Sequence, residues 1–280
     1  MTDLLCSVGL LIGVVMVAIA YAGGASGGGD ARHSRVENDG GSPWLTKRAM
    51  DRGYRALLPL ARGCVALGIG ASVVSFASLA FAAAAGLALA LGHYGVGAAL
   101  GVASSACDAL DGCVARETGT ASDAGEVLDA TIDRYAELLF LAGIAIEQRA
   151  SAVVLGVVLT AIAGSVMVSY ATAKAEAMRV EGPRGSMRRV ERAVYLGTGA
   201  ALVPMAALLA ERWHLPGWAA RAPILAALLL VALVANASAV WRLRAVARVL
   251  RARAGGVVLD ANDAHGLSRE RHVGAGNAAE

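Results

Sequence analysis

Charged side chains are scarce in this chain of 280 residues. Only 17% of the residues are Asp, Glu, Lys or Arg and only 5% are aromatic, whereas 57% are hydrophobic. A soluble domain carries more charge than this, so the composition indicates a membrane protein with several spans. The formal net charge is only +3. The arginines flank apolar segments and do not alternate with aromatic residues, which argues against nucleic-acid binding.

Cysteine is also rare, and its spacing excludes the usual cysteine sites. The four cysteines form no C-x-x-C motif and have no histidine partners at zinc-binding spacing. We expect them to be small packing residues rather than metal ligands or disulfide partners. They are Cys6, Cys64, Cys107 and Cys113.

Four aspartates within residues 108–133 stand out from their apolar surroundings. Asp108 and Asp111 are three residues apart, and Asp129 and Asp133 are four apart. On helices each pair lies on one face, so two facing pairs surround one small volume with four carboxylates. Such close negative charges repel unless cations lie between them. The pattern therefore predicts a site for hard divalent cations such as Mg²⁺, Mn²⁺ or Ca²⁺.

The residues between the two pairs indicate what the metal serves. Gly112 follows an aspartate directly, and Gly125 precedes the second pair by four residues. A glycine lets another group come close to the backbone because it has no Cβ. Arg116 offers a planar set of donors that suits a phosphate group. Together these residues predict a phosphorylated substrate.

The spacing of these residues resembles the signature of the CDP-alcohol phosphotransferases. The segment fits D-x-x-D-G-x-x-A-R-x8-G-x-x-x-D-x-x-x-D at every fixed position. Two further segments resemble the family: residues 169–176 look like its S-Y-x-x-A-[RK]-A-E motif, and Arg189 and Arg192 look like its R-x-x-R pair. The start of the first span departs from the family, because Ser72 and Ser75 stand where many members have an Asn and a Thr.

The resemblance implies an all-α integral membrane protein built as a six-helix bundle, and it implies a reaction. An acceptor hydroxyl attacks the β-phosphorus of a CDP-linked donor, here expected to be CDP-diacylglycerol, and CMP leaves. Mg²⁺ or Mn²⁺, as two ions, would assist the displacement. A homodimer within the lipid bilayer is also implied.

The resemblance also assigns roles to the residues of the signature. The four aspartates bind the metal ions, and Asp133 is the general base that takes the proton of the acceptor hydroxyl. The first half of the signature lines the CMP site, and Gly125 leaves room for the nucleotide. The metal ligands are Asp108, Asp111, Asp129 and Asp133, and the donor-binding residues are Asp108, Gly112, Ala115, Arg116 and Gly125.

Three basic residues are candidates for acceptor binding: Lys174, Arg189 and Arg192. The two arginines are three residues apart, so on a helix we expect both to point the same way and to clamp a phosphate. This favours a phosphorylated polyol such as glycerol 3-phosphate or inositol 1-phosphate. Family members that use inositol phosphate can carry a lysine where this chain has Thr172. The absence of this lysine favours glycerol 3-phosphate over inositol 1-phosphate as the acceptor. The alternative is that the arginines only follow the positive-inside rule.

Hydropathy predicts six membrane spans of about 20 residues each. They cover residues 70–91, 95–113, 126–146, 152–173, 193–210 and 222–241. One aspartate pair then lies at the end of the second span and the other at the start of the third. We therefore expect both pairs at the same membrane depth, on the same side.

The sequence predicts a membrane domain of residues 43–245, which contains the six spans, and further segments before and after it. Residues 1–22 form an apolar segment that we expect to be an additional transmembrane helix, with a signal peptide as the competing interpretation. Residues 23–42 are rich in glycine and serine and predict a flexible linker. Residues 43–62 predict an amphipathic helix on the membrane surface, and residues 246–280 a polar tail.

The basic residues predict which side the aspartates face. Every Lys and Arg except Arg149, Arg212 and Arg221 lies on the same side of this topology as the aspartate pairs. The positive-inside rule assigns that side to the cytoplasm. We therefore expect an integral protein of the cell's inner (plasma) membrane whose active site faces the cytoplasm.

Two other classes of membrane protein also use acidic residues. Ion or proton transporters place them near the bilayer midplane between repeated halves, whereas this chain shows no repeat and its aspartates cluster at one face. Magnesium-dependent prenyltransferases need a second aspartate-rich motif, whereas the next aspartate after Asp133 is Asp260. Serine or a second lipid as acceptor, and a CDP-linked polar alcohol as donor, stay open.

Overall fold

The computed structural model describes residues 1–23, 47–180 and 186–254, and this part of the chain consists of helices without a β-strand. Within it, eight α-helices follow one another, and a short 3₁₀ helix (Gly217–Arg221) precedes the last of them. The α-helices are α1 (Thr2–Gly23), α2 (Lys47–Ala66), α3 (Ala71–Ala90), α4 (Tyr94–Glu117), α5 (Asp123–Glu147), α6 (Ala152–Ala177), α7 (Arg189–Arg212) and α8 (Ala222–Ala254). The all-α prediction is confirmed.

Five helical segments of the described chain are long and apolar enough to cross a membrane. They are α3, α4, α6, α7 and the segment Gly217–Arg253, which contains most of α8. They match five of the six predicted spans. The sixth, residues 126–146, falls within α5, which carries acidic residues along its length and does not meet the same criterion. Asp133, Glu137 and Glu147 of this helix are buried or partly buried at contacts with other helices, as described below.

The bundle contains two groups of three helices. α3 packs along both α4 and α5, and α8 packs along both α6 and α7. The pairing of α4 with α7 joins the two groups. α1 lies against α4 and α7, and α2 lies against α4. Small and aliphatic side chains fill the centre, as expected for membrane helices that pack closely.

The crossing of α3 and α5 depends on two glycines. A Cβ added to Gly143 would press on the backbone carbonyl of Gly86, closer than real Cβ atoms approach a backbone oxygen. A Cβ added to Gly86 would press in turn on the carbonyl of Leu139. The two helices can therefore approach this closely only because both positions lack a side chain.

We expect Gly143→Ala to destabilise the protein by about 1–3 kcal/mol, because the added methyl group pushes α5 away from α3. Thermal unfolding in detergent micelles measures this as a lower Tm. Gly156→Ala is the matched control, since a Cβ there meets no atom within 4 Å. It should leave Tm unchanged or raise it slightly, with a gain in the free energy of unfolding of at most about 1 kcal/mol. Equal Tm values for the two variants would contradict the close crossing.

α1 is attached to the first turn of α4. The Asp3 carboxylate accepts a hydrogen bond from the backbone N–H of Val96 (2.9 Å), one of the first N–H groups of α4, which lack partners within their own helix. Gly95 permits this contact, because a Cβ there would press on the backbone of Asp3 and on Ser7 Oγ. The N-terminus of α1 thus lies at the end of the bundle opposite Asp111, roughly 22 Å away along α4.

A buried polar cluster ties the helices together at that same far end. Glu147, at the end of α5, accepts a hydrogen bond from Tyr94 Oη (2.8 Å) and forms an ion pair with Arg221. Gln148 Nε2 donates to Glu147 and lies 3.3 Å from Tyr94 Oη. Arg221 is one of the three basic residues predicted to lie on the side of the membrane opposite the aspartate pairs. Its ion pair with Glu147 gives a structural reason for a basic residue at this end of the bundle.

α2 crosses the other end of α4. Ala61 is fully buried there, in a cluster with Val74, Cys113 and Val114. Cys64 and Cys107 pack beside this cluster, and the cysteines of the described chain are all free thiols, as predicted. The predicted amphipathic helix is helical from Lys47 onward. The predicted linker beyond Gly23 and the tail beyond Ala254 lie outside the described residues.

Candidate active site

The two aspartate pairs meet because a short turn reverses the chain between α4 and α5. Gly119 stands in this turn with φ +66°, a conformation that favours glycine. Ser122 begins α5 as its N-cap, and its Oγ accepts a hydrogen bond from Gly125 N (3.2 Å). The first pair lies near the end of α4 and the second near the start of α5, so both pairs face one volume at the same end of the bundle.

Three of the four carboxylates form a group suited to a metal ion. Asp108, Asp111 and Asp129 each offer one carboxylate oxygen, and these oxygens all lie within 4.8 Å of one another. Asp133 lies outside that group, one helical turn from Asp129. Asp111 and Asp133 are only 6% and 8% exposed. Within the described chain, Asp108 Oδ1 and Asp133 Oδ1 are buried oxygens without a hydrogen-bond partner. Buried oxygens of this kind, all from carboxylates, fit Mg²⁺ or Mn²⁺.

Ser75 on α3 orients one of these ligands. Its Oγ lies 2.5 Å from Asp111 Oδ2 and 3.1 Å from the backbone oxygen of Ala71. The hydroxyl therefore fixes the orientation of this carboxylate through one of its oxygens. By the family resemblance, Ser72 and Ser75 stand where many members have an Asn and a Thr. In the structure Ser75 is buried against the site, and Ser72 is exposed.

Arg189, the first residue of α7, reaches into the carboxylate cluster. Its Nη1 lies 3.1 Å from Asp108 Oδ2 and also forms an ion pair with Asp133. The guanidinium thus bridges one carboxylate of each pair. About 30% of the Arg189 side chain stays exposed, so it can also be reached by a solute.

Arg192 lies one turn further along α7 and has different partners. Its Nε and Nη2 donate to the two carboxylate oxygens of Glu137, at 2.5 and 2.8 Å. Its Nη1 donates to the backbone oxygen of Met187 (2.7 Å), and the side chain is 1% exposed. Arg189 and Arg192 therefore do not converge on one point, unlike the predicted clamp. Acceptor binding by Arg192 stays a prediction.

Sequence reasoning did not single out Glu137. The available signal was its spacing, because it follows Asp133 by four residues and thus extends the row formed by Asp129 and Asp133 on one face of α5. Its partner, Arg192, is 55 residues away in the chain. No local pattern connects the two residues.

The predicted donor-binding residues other than Asp108 lie near the facing ends of α4 and α5. Arg116 is exposed, and its Nη2 lies 3.4 Å from Cys113 Sγ. Gly125 is exposed as well, and a Cβ there would meet only Ser122 Oγ, at an ordinary 3.4 Å. Gly112 and Ala115 are partly buried near the end of α4. Each of these four residues lies within five positions of a predicted metal ligand along the chain.

Another arginine joins the predicted acceptor region. Arg242 on α8 donates from Nη1 to Thr172 Oγ1 (2.9 Å) and from Nη2 to the backbone oxygen of Ser186 (3.1 Å). Lys174, on the same helix as Thr172, is exposed. From the sequence, Arg242 belonged only to the basic stretch that follows the last span. Its position beside Thr172 becomes evident only when α8 is packed against α6.

A cavity of about 100 Å³ extends from the aspartate cluster into the bundle. It lies between α4, α5 and α7 with part of α3, and Asp133, Glu137 and Arg189 line its polar end. Small and apolar residues line the rest, among them Gly101, Phe140 and Leu196. Val102, on the wall formed by α4, is 48% exposed, so the cavity borders the outer surface of the bundle.

Residues 68–241 match the family described as CDP-alcohol phosphatidyltransferase. This match covers well over half of the chain and contains both aspartate pairs and Arg189. The chain belongs to the CDP-alcohol phosphatidyltransferase family. It is a transferase of substituted phosphate groups in phospholipid synthesis, and the ion-transporter and prenyltransferase interpretations are set aside.

Several similar proteins are named as synthases of inositol-containing lipid phosphates. The phosphatidylinositol phosphate synthase of Mycobacterium tuberculosis is 32% identical over 163 residues, which cover 56% of this chain and 73% of the relative. The archaetidylinositol phosphate synthase of Methanothermobacter thermautotrophicus is 32% identical over 145 residues, which cover 52% of this chain and 71% of the relative.

A solved structure of the mycobacterial enzyme resembles this fold. The crystal structure with CDP-DAG bound has a TM-score of 0.58 at 28% identity, and the match covers 69% of this chain and 94% of that chain. The same enzyme was also crystallised with manganese and citrate. The family uses a divalent metal, in agreement with the predicted cofactor, and the likeness to this structure agrees with the predicted all-α membrane fold.

Proposed function

We propose that this protein transfers a phosphatidyl group from CDP-diacylglycerol to a phosphorylated polyol, with inositol 1-phosphate as the first candidate, and releases CMP. The observation that carries the proposal is the position of Arg189. Its guanidinium lies between Asp108 and Asp133, next to the proposed base, and is still partly exposed. A phosphorylated acceptor held there brings its hydroxyl close to the base. The names of the relatives support an inositol phosphate.

Asp108, Asp111, Asp129 and Asp133 would hold the divalent ions. When bound, the ions neutralise the donor's diphosphate and the charge that develops on the leaving group. Ser75 holds one oxygen of Asp111 in place through its hydroxyl. Gly112, Ala115, Arg116 and Gly125 would border the nucleotide, as the family resemblance implies.

Asp133 would act as the general base. Its buried carboxylate takes the proton of the acceptor hydroxyl, whose oxygen forms a bond to the β-phosphorus of the donor. The bond from that phosphorus to the oxygen bridging to the α-phosphate breaks, and CMP leaves with the bonding electrons. Arg189 contacts Asp133 before the acceptor arrives and would exchange this carboxylate for the acceptor's phosphate.

Basic side chains from three helices would receive the acceptor phosphate. Arg189 comes from α7, Lys174 from α6 and Arg242 from α8. The expectation that favoured glycerol 3-phosphate rested on the absence of a lysine at Thr172. Arg242 donates a hydrogen bond to Thr172 Oγ1 and so supplies a cation at that position from another helix. This weakens the argument against an inositol phosphate.

We further propose that the site faces the cytoplasm, in the inner membrane of the cell. The distribution of lysine and arginine supports this orientation. Arg221, one of its exceptions, is bound to Glu147 at the opposite end of the bundle. The homodimer that the family resemblance implies stays a prediction.

Release of CMP from CDP-diacylglycerol by purified protein in detergent, with one acceptor at a time, tests the proposal. Inositol 1-phosphate, glycerol 3-phosphate, inositol and serine form the comparison set. We expect turnover with inositol 1-phosphate and none above background with unphosphorylated inositol. Equal turnover with inositol and its phosphate would overturn the phosphate-binding role, and turnover with serine alone would overturn the proposed acceptor class.

Replacing Arg189 with Gln should raise the KM for the phosphorylated acceptor by tens of fold, with a much smaller change in the KM for the donor. The loss of a charge-assisted hydrogen bond, about 1.5–3 kcal/mol, gives this magnitude. Initial rates of CMP release at varied acceptor concentration measure it. Arg244→Gln removes an equal charge from an exposed position on α8 and should behave like the unmodified protein. An unchanged acceptor KM in Arg189→Gln would place the phosphate elsewhere.

A further inference from the structure

Two arginine–carboxylate contacts connect α5 and α7 in consecutive turns. The outer contact joins Arg189 to Asp133, and the inner contact joins Arg192 to Glu137. Asp133 and Glu137 are four residues apart and the arginines are three apart, so each pair of like residues lies along one helix face. The outer contact belongs to the proposed reaction site. The inner contact has no part in the proposed chemistry.

The inner contact is mostly buried, and only its carboxylate residue, Glu137, lines the cavity. Arg192 is 1% exposed and the Glu137 side chain 12%. All three nitrogens of the Arg192 guanidinium donate hydrogen bonds, two to Glu137 and one to the backbone oxygen of Met187. A phosphate group would have to break these charge-assisted bonds in a buried place before it could bind there. Arg192 is therefore poorly suited to bind a substrate directly.

Buried ion pairs contribute little to net stability, because removing both charges from water offsets their attraction. A role in orienting parts of the structure is the better-supported reason to keep one. Here the cavity separates α5 from α7, and within the described residues these two helices are not among the closely packed pairs. The inner contact thus spans a gap that side-chain packing does not close.

Arg192 also contacts the turn that directly precedes Arg189 at the start of α7. Met187 has φ +62°, an unusual conformation for a residue with a side chain. Its carbonyl accepts from Arg192, and its N–H donates to Glu191 Oε2 (2.7 Å). The turn is therefore held on both sides, and Arg192 links it to Glu137 on α5.

From these contacts we propose that Glu137 and Arg192 are positioning residues, which hold α7 in the register that places Arg189 between Asp108 and Asp133. They act on the acceptor only through Arg189 and do not touch it. This proposal rests on the proposed function, because it assigns the acceptor phosphate to Arg189. It makes Glu137 a determinant of acceptor affinity although Glu137 lies one turn deeper in the bundle than the base.

A double-mutant cycle tests the proposal. Glu137→Gln keeps the size of the side chain but removes its charge, and it is combined with Arg189→Gln. We expect Glu137→Gln alone to raise the KM for inositol 1-phosphate by about tenfold, in the range found for residues coupled through a shared partner. In the Arg189→Gln background the same change should have almost no further effect. The KM for CDP-diacylglycerol should stay within about twofold in all four proteins.

Glu147→Gln is the matched control. It removes a carboxylate of similar burial from another arginine pair of α5, at the far end of the bundle, in which the arginine side chain is 43% exposed. We expect it to lower Tm, as Glu137→Gln does, but to leave the acceptor KM unchanged. If Glu137→Gln raises the acceptor KM by the same factor in both backgrounds, or if Glu147→Gln raises it equally, the pair is merely structural and the proposal is wrong.

The same four proteins can also be compared without turnover, by measuring how much inositol 1-phosphate raises the Tm of each. The unmodified protein should show a shift that Glu137→Gln reduces and that is already absent in Arg189→Gln. A cycle that shows equal losses in both backgrounds overturns the positioning role. Failure of the unmodified protein to release CMP with any acceptor would overturn the proposed function, while this cycle would still test whether Glu137 acts through Arg189.

Discussion

Asp133→Asn should lower kcat by a factor of about 10²–10⁴, the usual contribution of a general base, while the donor still binds. The amide cannot accept the proton of the attacking hydroxyl, but it keeps an oxygen in nearly the same place. Asp133 is 8% exposed, so bulk water has little access to replace the lost base. The rate of CMP release at saturating substrate concentrations gives kcat. A rise in Tm on addition of CDP-diacylglycerol shows that the donor still binds.

Asp123→Asn is the control for this substitution. Asp123 is an exposed aspartate in the first turn of the same helix, so the change in charge is the same but no site contact is lost. It should keep the kcat of the unmodified protein. If Asp133→Asn releases CMP at the normal rate, Asp133 is not the base.

Excess EDTA should reduce CMP release to background, and added Mg²⁺ or Mn²⁺ should restore it. The carboxylate oxygens of Asp108, Asp111 and Asp129 lie within 4.8 Å of one another, and at this distance their charges repel unless a cation neutralises them. The metal should also raise Tm in the unmodified protein. That rise should be lost in Asp108→Ala and Asp111→Ala, which remove a ligand.

EDTA already saturated with Mg²⁺ serves as the control for effects of the chelator itself, and it should leave the rate unchanged. Ser75→Ala tests the orientation of Asp111 separately. We expect it to weaken the response to metal without removing it, because the ligand remains but loses its hydrogen bond. Full activity in excess free EDTA would contradict the metal site.

The aspartate motif was predictable because its geometry is local. Asp108 and Asp111 share one helix, Asp129 and Asp133 share the next, and a short turn connects the two helices. Residue spacing alone therefore placed the pairs face to face, and the burial of Asp111 follows from its place on α4. The apolar composition likewise predicted helices of membrane-spanning length.

The partners of the arginines were not predictable, since they lie on helices that are distant in sequence. The three-residue spacing of Arg189 and Arg192 predicted a common direction. In the structure they contact different carboxylates, because α5 presents Asp133 to one and Glu137 to the other. Arg242 was missed for the same reason, since its contact with Thr172 bridges 70 residues. The spacing of residues shows which side chains share a face of one helix, but it does not show which other helix packs against that face.

The charges of α5 also have a consequence for how the chain enters the membrane during synthesis. α5 is the predicted span that is not apolar enough to cross by composition alone, and carboxylates in hydrocarbon are unfavourable without partners. Glu137 pairs with Arg192, which is made 55 residues later, and Glu147 pairs with Arg221, which is made 74 residues later. The ion pairs of Glu137 with Arg192 and of Glu147 with Arg221 can therefore form only after α7 and the segment before α8 have been made, whereas Glu147 can contact Tyr94, which is made earlier.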